Sequence, residues 1–86
     1  MTIEEAEKII EKTESDYKGQ KNRIARGLML LAKYDDRIDS SIGFEHDAIF
    51  ASQFENTVTK MTPEEVREMA LMGWFVDEEQ ECWTHY

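Results

Sequence analysis

The chain has 86 residues, 41% of them apolar, and a formal net charge of −9 at pH 7. That length allows one hydrophobic core and so one domain over 1–86, and the apolar share excludes an intrinsically disordered chain. The charge is uneven: residues 1–43 carry eight Lys or Arg against nine Asp or Glu, while residues 44–86 carry two against ten. An acidic half repels phosphate backbones and anionic lipid, which argues against direct nucleic-acid or membrane binding and for a basic partner surface.

The first seven residues are acidic and contain no apolar h-region, so no secretory signal is read, and no apolar run approaches the roughly 20 residues of a membrane span. Thr2-Ile3-Glu4-Glu5 spells a capping box. Ile3, Ala6, Ile10, Thr13, Tyr17, Gln20, Ile24, Leu28 and Leu31 then recur three or four apart, which predicts one long helix over 2–34, kinked at Gly19. Two helices breaking at 18–20 are the alternative, because a mid-helix glycine costs roughly 1 kcal/mol relative to alanine. The narrow stripe over 3–17 suits packing at home or a homodimer through this helix. Lys18, Lys21, Arg23 and Arg26 form the one basic cluster. It pairs with neighbouring acids, or it lines a pocket for a small phosphorylated ligand in a self-assembling protein.

Residues 34–41 read as a loop whose acids lack the spacing of a calcium site. Residues 42–51 read as one strand with Phe44, His46, Ala48 and Phe50 on one face and Glu45, Asp47 and Ile49 on the other. Residues 52–59 read as a loop or an edge strand. Met61-Thr62-Pro63-Glu64-Glu65-Val66 starts a second helix, with Thr62 as cap, Pro63 at the first position and Glu65 closing the box. It should stop at Gly73, with Val66, Met69, Ala70 and Met72 inward and Leu71 near the surface. A hairpin follows over 73–86, with Trp74, Phe75 and Val76 in one arm and an acidic tip over 78–81. The fold class is α+β: a long N-terminal helical part (1–34), then strand, capped helix and hairpin (42–86) in a small three-stranded sheet with the helices on one face.

Leu31-Ala32-Lys33-Tyr34-Asp35, Glu45-His46-Asp47-Ala48-Ile49 and Gly73-Trp74-Phe75-Val76-Asp77-Glu78-Glu79 with Trp83 resemble a group of short hypothetical proteins encoded by bacteriophages and other mobile elements. The resemblance covers about residues 28–86. It implies an accessory, non-enzymatic role in a bacterial cell and supplies no catalytic residues.

A metal site from Glu45, His46, Asp47, Cys82 and His85 fails on strand alternation and on the number of nitrogen and sulfur ligands. Cys82 stands alone, which excludes an internal disulfide and fits a reducing cytoplasm. No glycine-rich phosphate cradle, cofactor signature or nucleophile with a base is present, so the protein reads as no enzyme. Acidic runs are ordinarily solvated faces. The sharper expectation is a contact surface made of Asp77, Glu78, Glu79, Glu81, Trp74, Trp83, Glu64 and Glu65. Its carboxylates would stand in for phosphates on a basic, nucleic-acid-binding surface of a host protein and inhibit that protein.

Overall fold

The computed structural model describes residues 1–86, the side chain of Tyr17 excepted. Helix α1 spans Ile3–Lys12 and opens on its capping box: Thr2 Oγ1 accepts the Glu5 amide at 3.1 Å, and the Glu5 carboxylate accepts the Thr2 amide at 3.4 Å. The helix ends earlier than its apolar spacing predicts. At Thr13 the backbone turns extended, and the hydroxyl donates to the Ile9 carbonyl at 2.6 Å. Thr, Ser and Asp compete with helices for backbone groups, and Thr13-Glu14-Ser15-Asp16 concentrates them. A 3-10 turn at Tyr17–Gly19 and Asn22 in the left-handed region (φ 55°) lead into α2, Arg23–Ala32. The single helix over 2–34 is therefore two, parted by a linker over 13–22 rather than by a kink at Gly19. Of the stripe over 3–17, Ala6 is buried and Ile3, Ile10 and Thr13 are half-buried. Its Tyr17 end lies outside the described side chains.

A hairpin replaces the strand expected over 42–51. β1 (Ile42–Glu45) and β2 (Ala48–Gln53) pair antiparallel with Glu45 opposite Ala48, which leaves His46 and Asp47 as a two-residue reversal. His46 takes φ 55°, a region that His, Asn and Asp enter more readily than most residues. Strand alternation therefore does not govern Glu45, His46 and Asp47. Near its end β2 bulges at Ser52 (φ 60°), whose amide donates to the Ser41 carbonyl and whose hydroxyl donates to Asp35. Helix α3, Phe54–Val58, follows where a loop or edge strand was expected. Phe54 and Val58, four apart, both bury, and the Thr57 hydroxyl donates to the Gln53 carbonyl at 3.1 Å.

Helix α4, Pro63–Leu71, matches its sequence signals. Thr62 and Glu65 make the reciprocal cap at 3.2 and 2.9 Å, and Val66, Met69, Ala70 and Met72 are buried while Leu71 is half-buried. The Leu71 carbonyl accepts the Asp16 amide at 2.8 Å, which fastens the linker after α1 to the end of α4. Gly73 (φ 96°) turns the chain into β3 (Phe75–Asp77) and β4 (Cys82–His85). The antiparallel sheet runs β1-β2-β4-β3, four strands rather than three, in an α+β architecture.

Ala51, Trp83 and Val76 form one cross-strand row, on the face that meets the helices. The Trp83 indole donates to Thr57 Oγ1 at 3.0 Å and meets the Phe54 ring edge-on at 4.9 Å. Leu31, Val58, Met61, Val66, Met69, Met72 and Trp74 complete the core. His85 is buried beside it, with Nε2 2.9 Å from the Met72 carbonyl. On the other face Phe50, Thr84 and Phe75 form a row, and Tyr86 lies against Phe75 at 5.3 Å. Among the described residues no helix is long and apolar enough to cross a membrane.

Candidate functional site

The acidic tip is shaped from within. The Asp77 carboxylate accepts the amides of Glu79 (2.8 Å) and Gln80 (3.0 Å), and the Glu81 amide donates to the Asp77 carbonyl at 2.7 Å. Asp77 thus serves the turn, which leaves Glu78, Glu79 and Glu81 exposed. The Glu81 carbonyl accepts the Phe54 amide at 3.0 Å, so the tip is tied to the start of α3. It stands as a ridge with a groove on either side.

The first groove, about 510 Å³, lies between α1, the start of α3 and the tip. Ile3, Ile10, Phe54 and Val76 are its apolar part, and Glu7, Glu11, Glu55, Glu78 and Glu81 its acidic part. Helical spacing puts Ile3, Glu7, Ile10 and Glu11 on one side of α1. Among the described residues no lysine or arginine lines this groove. The second groove lies across the ridge, on the sheet face that carries Phe50 and Tyr86, where Glu45, Asp47, Asp77 and Glu79 supply the charge. A third groove, near Asp35, Arg37 and Lys60, is of mixed charge. There the Ser52 hydroxyl, with the Arg37 amide and the Ser41 hydroxyl, holds the Asp35 carboxyl below its usual range.

The expected contact residues divide. Glu78, Glu79 and Glu81 are at the surface, and Glu64 is exposed at the start of α4. Trp74 (1% exposed) and Trp83 (0%) are core residues, which corrects their assignment to a contact surface. Each indole has an internal acceptor, the Arg23 carbonyl for Trp74 and Thr57 Oγ1 for Trp83, both at 3.0 Å. A hairpin this short cannot bury itself, so its large rings go to the helices. Tryptophan emission of the native protein should accordingly be blue-shifted from that of the urea-unfolded chain and resist iodide quenching; strong quenching would place an indole outside.

Glu65 is inward as well. Its side chain is 12% exposed and accepts from Lys33 Nζ and Tyr34 Oη, each at 2.6 Å. Burial by itself pushes this carboxyl up, but the bonds from Lys33, Tyr34 and the Thr62 amide outweigh it and hold the pKa at about 2. Glu68 pairs with Arg26 at 3.2 Å. Glu65 and Glu68 are thus directed to α2 and the residues that follow it, and no α4 acid lines either groove beside the tip. The acids that do join the tip are Glu7, Glu11 and Glu55 on one side and Glu45 and Asp47 on the other. The sequence hint was Glu7 and Glu11 flanking the apolar stripe of α1, but nothing local says which element that stripe approaches.

The basic cluster is engaged in part. Arg26 donates to Gln20 Oε1 at 3.2 Å and to the Lys21 carbonyl at 3.0 Å, besides its pair with Glu68. Lys18, Lys21, Arg23 and Arg26 line none of the three grooves described. Burial, together with Asp77 and Glu81, pushes the Cys82 thiol up, the opposite of what an activated thiolate needs. Among the described residues no three His, Cys, Asp or Glu side chains are grouped to hold a metal ion. No family model matches the chain, and no curated protein or solved structure matches it either.

Proposed function

We propose that the protein is a small acidic binding protein that covers a basic surface of another protein with its β3–β4 tip, and inhibits that protein by doing so. The supporting observation is the groove beside the tip, lined among the described residues by five glutamates, by no lysine or arginine, and by Ile3, Ile10, Phe54 and Val76. Such a site is charged to attract lysine and arginine and apolar enough to hold what it attracts. A surface arranged to bind phosphates presents lysine and arginine in such a cluster, so the partner class is a nucleic-acid-handling or defence protein of a bacterial host. Origin in a phage or mobile element, action in the host cytoplasm and the lack of chemistry of its own belong to the same proposal. They draw on the resemblance of residues 28–86 and on the charge of the second half of the chain.

Affinity capture from bacterial lysate at low salt tests it. A basic nucleic-acid-binding protein should be retained by the wild type, eluted by salt, and lost from a variant carrying Glu78→Gln, Glu79→Gln and Glu81→Gln. Free DNA should compete with capture. Recovery of no basic protein at low salt ends the proposal.

A further inference from the structure

We infer that the groove between α1, α3 and the tip seats a cationic peptide segment with a single aliphatic anchor, and excludes a second copy of this chain; the inference rests on the function proposed above and narrows it. The half-buried Ile3, Ile10 and Val76, with buried Phe54 beside them, are the apolar part of its lining, and carboxylates come from each of the three elements: Glu7 and Glu11 from α1, Glu55 from α3, and Glu78 and Glu81 from the tip. At about 510 Å³ the space falls within the range of ligand clefts, about 300–1,000 Å³. A bare polycation would satisfy the carboxylates and leave the apolar part of the lining wet. A purely apolar segment would cover Ile3, Ile10 and Val76 and strand the carboxylates. An aliphatic side chain flanked by lysine or arginine satisfies both.

The same charges decide against self-association. Pairing two copies through this side of α1 would bring Glu7 and Glu11 of each copy together, with no lysine or arginine in the lining to offset them. Part of the apolar stripe is moreover spent at home, since Ala6 is fully buried within its own chain. Ile3 and Ile10 of the stripe thus belong to a groove for a foreign segment.

The test titrates the full chain with a synthetic peptide of lysine and arginine carrying one central leucine, followed by calorimetry. Comparators are the same peptide with serine for leucine, and spermine. Two protein variants are compared, Glu7→Gln/Glu11→Gln/Glu55→Gln in the groove and Glu45→Gln/Asp47→Asn across the ridge, with circular dichroism confirming that each is folded. The leucine peptide should bind about 10-fold more tightly than the serine peptide, as expected for burying one aliphatic side chain. The groove variant should lose about 10-fold or more, the variant across the ridge should bind as wild type, and the free chain should sediment as a monomer. Equal binding of the serine peptide or spermine overturns the inference, because only charge would then be recognised. So does an unaffected groove variant, or a dimer that Ile10→Lys dissociates. If a basic host protein is captured by the groove variant and lost from the tip variant, this inference fails while the proposed function stands. If the wild type binds neither peptide nor host protein, both fail.

Discussion

Gly27→Ala should destabilise the protein by about 3 kcal/mol, although alanine is the better helix former by about 1 kcal/mol. The reason is a single close approach. A Cβ on Gly27 would lie 2.2 Å from Trp74 Nε1, 2.5 Å from its Cε2 and 2.9 Å from its Cζ2. The ring has nowhere to go: it is buried, donates to the Arg23 carbonyl one turn earlier in α2 at 3.0 Å, and stands edge-on to His85 at 5.2 Å. Displacing it breaks that hydrogen bond and leaves a buried N–H without an acceptor, at about 1–3 kcal/mol, on top of the overpacking itself. The urea midpoint should fall with little change in slope. Exposed Ala25 in the same helix is the control, where Ala25→Gly should cost only about 1 kcal/mol. Combining Gly27→Ala with Trp74→Phe should cost less than the sum of the two changes, since the smaller ring makes room. A Gly27→Ala protein as stable as wild type would mean that α2 and Trp74 do not meet in this way.

Glu65 should carry the second large effect, about 2–3 kcal/mol that disappears in acid. Its carboxyl is held at about 2 in the folded protein against an ordinary 4.5. The unfolded chain therefore takes up the proton more readily, so the stabilisation is complete above pH 4.5 and is lost as the pH falls toward 2. The same hydrogen bonds hold Lys33 and Tyr34 above their usual values, Glu65 being the chief cause in each. Asp35, lowered chiefly by the Ser52 hydroxyl, adds an acid dependence of the same sign. Glu65→Gln should thus lower stability by about 2 kcal/mol at neutral pH, with the two stability curves converging on acidification while the Asp35 slope persists in both. An equal difference between wild type and variant at pH 7 and pH 3 would sink this account, because the loss would then owe nothing to the ionised carboxylate.

Both effects concern contacts between segments far apart in the chain, and that is where sequence reading stopped. The capped start of α1, the whole of α4 with its inward face, the acidic hairpin and the α+β class were legible, because caps, proline at a first helical turn and apolar period act within a few residues. Over residues 13–22 the apolar spacing continues although Thr13 ends the helix and the Asp16 amide is bonded to Leu71, so period alone does not reveal the break. The reversal at His46-Asp47 was missed because it carries no glycine or asparagine, and with it the fourth strand. As for the site, its charge was visible and its membership was not. A sequence reports that Glu65, Glu68, Glu7 and Glu11 are acidic; only packing assigns Glu65 and Glu68 to α2 and its C-terminal end and the α1 acids to the groove beside the tip. The same holds for Trp74 and Trp83, which periodicity alone leaves free to face in or out. Local signals suffice for the two capping boxes, for α4 and for the sign of the surface charge. The tertiary structure decided which side chains were left on that surface, because burial is set by what arrives from elsewhere in the chain.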